Sequence, residues 1–154
     1  MNRDLKQLGH GFFWQDLAVG ARFRTFGRTI TETDIITFVN CTGMTEPLFV
    51  DAEYRKAHSA MTGHVAPGAL VYAIAEGLIL SGTAHGTGLA FLHTEIDVKG
   101  PVLAGDTIHV EMEVVEARAT SKGRGLVRTK NEVRNQRDEL VVVYNPLRLM
   151  RGRG

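Results

Sequence analysis

Two side chains in the first half of the chain have the chemistry needed for proton transfer. Glu46 lies in the segment CTGMTEPLFVD (residues 41–51) and is the only carboxylate between Asp34 and Asp51. A pocket of apolar neighbours would desolvate this carboxylate and make it a stronger general base. His64 lies in TGHVAPG, just before a long apolar segment, and imidazole is the common acid or base near neutral pH. The residue types therefore predict acid–base chemistry at Glu46 and His64.

These residues and two other acids also have interpretations without chemistry. Glu46 could be an exposed loop residue or a structural hydrogen-bond acceptor, and His64 could meet a phosphate or solvent. Asp51 precedes a short helix and is placed to cap it, which explains this residue without catalysis. Glu76 and Tyr72 lie four residues apart on one face of an apolar helix. A buried carboxylate needs a partner, so a structural role is favoured for Glu76, with Tyr72 or a second subunit supplying the partner.

The local pattern predicts three helices that position these side chains. A capping box at Thr31 and Asp34 starts a helix over about Glu32–Cys41, and a short helix follows Asp51. The segment APGALVYAIAEGLILSG (66–82) is apolar at nearly every position, with Pro at its start and Gly at its end. It is predicted to be a helix that is buried on all sides.

After Gly88 the chain alternates apolar and polar side chains, which is the period of a strand with one buried face. Two such runs, at 90–98 and 108–114, precede two further strand-like segments joined at NQRD (135–138). Pro146 inside the last of them indicates a bulge or an edge. One long apolar helix followed by antiparallel strands predicts an α+β fold in which the sheet wraps around the helix.

Composition limits the functions that this chain can have. Its 154 residues, 44% of them hydrophobic, suit a single domain over 1–154. The net charge is +1, and the scattered Lys and Arg residues argue against binding to nucleic acid or to a membrane surface. The six histidines form no helix pair with metal-ligand spacing and there is no second cysteine, so no metal site is expected.

The lone cysteine, Cys41, cannot form an internal disulfide, so a reducing, cytoplasmic location is predicted. No basic residue lies near it in sequence, which predicts a buried structural thiol. The first 20 residues lack the continuous apolar run of a signal peptide. The longest apolar run, APGALVYAIAEGLIL, is too short and too interrupted to cross a bilayer.

Several segments resemble the MaoC-like acyl dehydratases, which are hotdog-fold relatives of the (R)-specific enoyl-CoA hydratases. They include GRTITETDIITFVNCTG, PLFVDAEY, VAPGALVYAIAEGL and GPVLAGDTI, and the resemblance covers about residues 11–150. GPVLAGDTI is similar to the family's Pro-x-x-x-Gly-Asp turn between two strands. The resemblance implies a single hotdog domain, with a curved antiparallel sheet around a long central helix, that dimerises sheet to sheet.

The family's hydratase motif departs from this sequence at its catalytic positions. The motif runs Gly-Asp-x-Asn-Pro-Leu-His-x-Asp, and its Asp and His activate a water for addition to an enoyl double bond. Aligned on Asp51, the motif puts Met44 at the Asp position, Glu46 at the Asn position and Phe49 at the His position. Met and Phe cannot carry protons. The family's later Ala-His-Gly is replaced by APG at 66–68.

The resemblance therefore implies an acyl-thioester site whose acid–base pair is lost or rebuilt. The loop and the helix start converge in the family fold, so Glu46 and His64 could act together as the catalytic groups. Backbone amides at the helix start would polarise the thioester carbonyl. The residues expected to contact substrate are Met44, Phe49, Val65, Pro67 and Gly68. No cofactor is expected.

Three functions remain open at this point. The first is hydration or dehydration of an acyl thioester of CoA or acyl carrier protein, with a divergent active site. The second is a non-catalytic acyl-CoA binder or a partner subunit of a heteromeric dehydratase. The third is an acyl-CoA thioesterase. A homodimer or a higher even oligomer is expected, and Met44 and Phe49 favour a hydrophobic acyl portion.

Overall fold

The α-helices lie between residues 32 and 83, and six of the eight described strands follow them, as the periodicity predicts. The structure is a computed structural model that describes residues 5–154. Residues 1–4, which open the segment tested for a signal peptide, lie outside this range. The described helices are α1 (Glu32–Thr42), α2 (Pro47–Val50), α3 (Ala52–His58) and α4 (Gly68–Thr83). The described strands are β1 (Arg22–Arg24), β2 (Arg28–Thr29), β3 (Gly88–His93), β4 (Ile96–Val98), β5 (Thr107–Ala119), β6 (Gly125–Arg134), β7 (Leu140–Tyr144) and β8 (Leu147–Met150).

The strands form one antiparallel sheet against which α4 packs. Five strands follow the order β1-β5-β6-β7-β4, while β2 pairs with β5, and β8 lies between β6 and β3. Pro146 divides the last predicted strand into β7 and β8, because proline cannot donate to a ladder. The inward side chains of the sheet and one face of α4 share a single hydrophobic core. The predicted α+β architecture is confirmed.

Only one face of α4 is buried. The residues on that face are Leu70, Val71, Ala75 and Ile79. Gly77 and Leu80, on another face, are exposed, and every residue of β3 is exposed as well. The prediction of a helix buried on all sides is therefore wrong for the single chain. A hydropathy pattern reports how apolar a face is, and it does not report whether the same chain covers that face.

The start of α1 is fixed by a capping box. The Oγ1 atom of Thr31 accepts a hydrogen bond from the Asp34 amide at 3.1 Å, and Asp34 Oδ2 accepts one from the Thr31 amide at 2.8 Å. The guanidinium of Arg28 donates to both Asp34 oxygens, at 2.8 and 2.9 Å, and holds the pKa of that carboxyl well below its usual range. The helix ends at Gly43, whose φ of 73° is in the left-handed region. The predicted helix over Glu32–Cys41 is confirmed to within one residue.

The Gly-Asp turn before β5 is fastened to the segment that leads into α4. Asp106 Oδ2 accepts from the Leu103 amide at 2.9 Å, and its Oδ1 accepts from Gln136 Nε2 at 2.7 Å. Burial alone would raise the pKa of Asp106, but these bonds and the nearby Arg137 hold it below its ordinary value. Leu103 forms an antiparallel bridge with Val65. The turn thus fixes the backbone just before the central helix.

Candidate functional site

A cavity of about 390 Å³ lies at the N-terminus of α4. It is lined by Leu48, Phe49, Met61, Val65, Ala66, Pro67, Gly68, Val71, Val98, Lys99, Gly100, Pro101, Val102 and Val142. Among these residues Lys99 alone carries a titratable side chain. The cavity is therefore an apolar site of the size used for small ligands, and it is bordered by the α1–α2 region, the Gly-Asp turn segment and β7.

Four of the five residues expected to contact substrate line this cavity: Phe49, Val65, Pro67 and Gly68. Met44 is half-buried but is not part of the lining. Phe49 is also half-buried and reaches the cavity from α2, while Val65 and Pro67 are buried on the segment entering α4. The tertiary structure thus brings the loop and the helix start to one cavity, as the resemblance implies.

Within residues 5–154, the start of α4 presents backbone donors without a hydrogen-bond partner beside the cavity. Pro67 is the N-cap and has no N–H group, and its carbonyl accepts from the Leu70 amide at 3.0 Å. The amides of Gly68 and Ala69 belong to the first helical turn, where no intrahelical acceptor exists. A Cβ atom at Gly68 would lie 3.2 Å from Val98 Cγ2, so glycine allows a close approach to the cavity wall. This helix end can polarise a carbonyl oxygen or hold a partial negative charge.

His64 is buried, and both of its ring nitrogens face acceptors. Nδ1 lies 2.6 Å from Glu32 Oε1, and Nε2 lies 2.6 Å from the backbone oxygen of Phe49. Through these two contacts the ring ties the start of α1 to α2. Its reactive nitrogens are therefore already engaged.

Glu46 is exposed and lies at the N-cap of α2. Its side chain makes no capping hydrogen bond, and its backbone oxygen accepts from the Phe49 amide at 2.8 Å. No hydrogen bond joins Glu46 to His64 within residues 5–154. Instead Glu32 is the carboxylate beside His64, a pairing across 32 residues that no local sequence signal indicates.

The other acids and the cysteine have roles that the structure makes explicit. Asp51 Oδ1 accepts from the Glu53 and Tyr54 amides, both at 2.9 Å, so its predicted capping role is confirmed. The side chain of Glu76 forms a buried ion pair with Arg148, which is a structural role as predicted, although the partner comes from β8 rather than from Tyr72. Cys41 is exposed, so the prediction of a buried thiol is wrong.

Comparison with known proteins now identifies the family. The MaoC like domain matches residues 16–136, which is most of the chain. The chain belongs to the MaoC-like domain family. A search of the curated proteins finds no significant match. No helix within residues 5–154 is long and apolar enough to cross a membrane.

Solved MaoC-like structures share the fold over nearly the whole chain. A monoamine oxidase regulatory protein from Archaeoglobus fulgidus is 34% identical, with a TM-score of 0.82 over 94% of this chain and 97% of that one. A MaoC-like dehydratase from Rhodospirillum rubrum is 27% identical, with a TM-score of 0.78 and coverage of 94% and 99%. An (R)-hydratase from Pseudomonas aeruginosa is 27% identical, with a TM-score of 0.76 and coverage of 93% and 88%. The predicted hotdog domain is confirmed, and the family is one of hydratases and dehydratases.

Proposed function

We propose that this MaoC-like domain binds an acyl thioester of CoA or acyl carrier protein and acts on it as a hydratase or dehydratase with a divergent active site. The observation that carries the proposal is the apolar cavity at the N-terminus of α4. It combines backbone donors for a carbonyl oxygen with walls suited to an acyl chain. The lone, unpaired Cys41 suits a reducing, cytoplasmic location.

In this proposal the thioester carbonyl accepts from the free amides at Gly68 and Ala69. Withdrawal of electron density by these donors makes the β-carbon of an enoyl thioester more electrophilic, which favours addition of water there. The reverse reaction gains the same stabilisation for the enolate that forms when a proton leaves the α-carbon. Phe49 and Val71 would hold a hydrophobic acyl portion and limit the access of bulk water.

Proton transfer is assigned to Glu46 first and to His64 second. The Glu46 carboxylate forms no hydrogen bond within the described residues and directly precedes α2, which carries Phe49, so it is free to hold a water or take a proton. His64 would first have to release Glu32 or the Phe49 carbonyl. In its present position it acts on the reaction by holding Phe49 against the cavity.

We also propose that the active form is a homodimer or a higher even oligomer. The exposed face of α4 is continuous with β3, where Leu89, Phe91 and Leu92 are each about half exposed. Burial of such a contiguous apolar surface by a second copy would be favourable. A sheet-to-sheet dimer would extend the ladder at β3, which pairs on one side with β8.

A second candidate function is binding of an acyl thioester without catalysis, either alone or as the partner subunit of a catalytic hotdog protein. The observation that favours it is the lining of the cavity: among the described residues that form this lining, Lys99 alone has a titratable side chain. A site with a carbonyl-binding helix end but no carboxylate or imidazole in its wall can recognise a thioester without turning it over.

The deciding experiment measures the loss of enoyl-thioester absorbance over a panel of enoyl-CoA esters, together with calorimetric binding of the matching saturated esters. Glu46→Gln and His64→Asn are compared with Glu53→Gln, which alters an exposed acid on α3. Hydration that is lost in Glu46→Gln but kept in Glu53→Gln supports the enzyme. Binding without hydration selects the non-catalytic function, and release of free CoA selects a thioesterase. Neither binding nor turnover of any ester would contradict both proposals.

A further inference from the structure

Three potential metal ligands meet on a part of the sheet that does not line the acyl-thioester cavity. His109 and Glu111 are two residues apart on β5, so their side chains share a face of the strand. Asp138 lies in the turn between β6 and β7. One ligand atom from each residue lies within 4.8 Å of the other two. The sequence offered no sign of this cluster, because strand pairing supplies its third member.

The buried member of the cluster has an unsatisfied ring nitrogen close to the Glu111 carboxylate. His109 is only 8% exposed, although the strand period places it on the polar face of β5. Its Nε2 atom is buried, has no hydrogen-bond partner within residues 5–154 and lies 3.5 Å from Glu111 Oε1. A buried polar atom without a partner is costly. A neutral imidazole nitrogen in this position is a ready ligand for a metal ion.

We propose that His109, Glu111 and Asp138 bind a divalent transition-metal cation of the Zn²⁺ class. One imidazole nitrogen and two carboxylate oxygens suit Zn²⁺ and its neighbours, whereas Ca²⁺ and Mg²⁺ take all-oxygen sets. Three protein ligands leave a fourth tetrahedral position for water. Asp138 is 80% exposed at its side chain, so the ion can enter from solvent.

Arg134 is the competitor that the cation has to displace. Its Nε atom lies 3.8 Å from Glu111 Oε2, and its Nη1 atom lies 3.8 Å from Asp138 Oδ1. The same guanidinium also donates to Glu132 at 2.7 Å, so it keeps a partner when it leaves the other two carboxylates. Glu132 in turn lies 2.9 Å from Lys130.

The charges around the cluster are nearly balanced. Three carboxylates, those of Glu111, Glu132 and Asp138, face two cations, those of Lys130 and Arg134. The five side chains therefore carry one net negative charge, and a bound divalent ion would change it to one net positive charge. The metal is consequently expected to compete with Arg134 rather than to add to it.

Binding of the metal would tether the β6–β7 turn to β5. The same turn carries Gln136 and Arg137, which contact Asp106 of the Gly-Asp turn at 2.7 and 3.5 Å. A fixed turn would therefore also hold the loop whose bridge to Val65 precedes α4. The inferred role of the ion is to stabilise this end of the sheet, and it does not depend on the proposed enzymatic function.

The test titrates Zn²⁺ into chelator-treated full-length protein by calorimetry, with Co²⁺ absorption as a second readout of ligand geometry. The variants are His109→Ala, Asp138→Asn and Arg134→Gln, and the control is His85→Ala, an exposed histidine outside the cluster. We expect the wild-type protein to bind one ion per chain. His109→Ala should weaken binding by more than the roughly 10- to 100-fold that loss of an outer-shell contact costs. Asp138→Asn should also weaken binding, and Arg134→Gln should tighten it.

Two outcomes would overturn the proposal. The first is that the wild-type protein shows no saturable binding of Zn²⁺ or Co²⁺. The second is that His109→Ala binds as tightly as His85→Ala. Circular dichroism checks that each variant is folded. If His109→Ala does not fold, Asp138→Asn still decides the test, because Asp138 is at the surface and asparagine tolerates its φ of 61°.

Discussion

The imidazole of His64 lies between Glu32 and the backbone of Phe49, with each ring nitrogen 2.6 Å from an oxygen. His64 precedes the central helix, and Phe49 lines the cavity at the start of that helix. The ring of His64 thus links the start of α1 to the wall of the cavity. The shape of the cavity wall at Phe49 depends on these two contacts of His64.

Glu32→Ala should destabilise the fold by about 1 kcal/mol, because it removes the hydrogen-bond partner of a buried ring nitrogen of His64, while solvent can reach the vacated side. The Glu32 side chain is 57% exposed, so water can replace part of the lost contact and the loss of stability stays small. Urea denaturation measures the change in unfolding free energy. Glu53→Ala, another glutamate in the first turn of a helix, is the control and should change stability by less. Equal effects of the two substitutions would show that the His64 contact contributes nothing.

Asp34→Asn should lower the free energy of unfolding by about 1 kcal/mol near neutral pH, because the capping box and the Arg28 pair both lose the carboxylate. The folded pKa of Asp34 lies below its unfolded value, so this stabilisation is present above about pH 4 and is lost as the pH falls further. The difference between wild type and variant should close below that pH. Denaturation curves at several pH values give the profile, and Thr31→Ala separates the cap from the ion pair. If the difference in unfolding free energy between wild type and Asp34→Asn stayed constant down to low pH, the ionised Asp34 carboxylate would not be the source of this stabilisation.

Arg148→Met should cost about 3–5 kcal/mol, because it leaves the Glu76 carboxylate buried without its partner. Both side chains of this pair are close to nine-tenths buried. Burial, together with the Glu76 charge, also raises the pKa of the nearby Tyr144 phenol. The double variant Glu76→Leu/Arg148→Met should recover most of the loss in thermal or urea denaturation. Additive losses in the double variant would mean that the two residues do not interact.

Leu89→Glu should shift the protein from dimer to monomer if a second copy covers β3 and the exposed face of α4. A charge at this position would be buried without a partner in a sheet-to-sheet dimer. Sedimentation velocity measures the oligomeric state. Val19→Glu, at a 63% exposed residue outside that surface, is the control and should leave the oligomer intact. A wild type that stays monomeric at all concentrations would rule out the proposed homodimer.

Local rules in the sequence were enough to fix the secondary structure around the candidate site. Thr31 and Asp34 mark the start of α1 because a capping box is satisfied within four residues. Asp51 marks the start of α3 because its carboxylate accepts from the amides two and three residues later. The strand period located β5 and β6, since alternation reports directly on the two faces of a sheet. The family resemblance then placed the loop and the helix start at one cavity.

The partners of the charged residues depended on the tertiary structure alone. Glu32 meets His64, Glu76 meets Arg148, and Asp138 meets His109, through pairs that are 29 to 72 residues apart. Only the packing of helices and strands decides such pairs, because no periodicity relates residues on different elements.

The exposure of Cys41 and of one face of α4 also depended on the tertiary structure. Hydropathy and spacing describe what a residue favours. Whether another part of the chain covers that residue depends on how distant elements pack, and only the folded structure shows it.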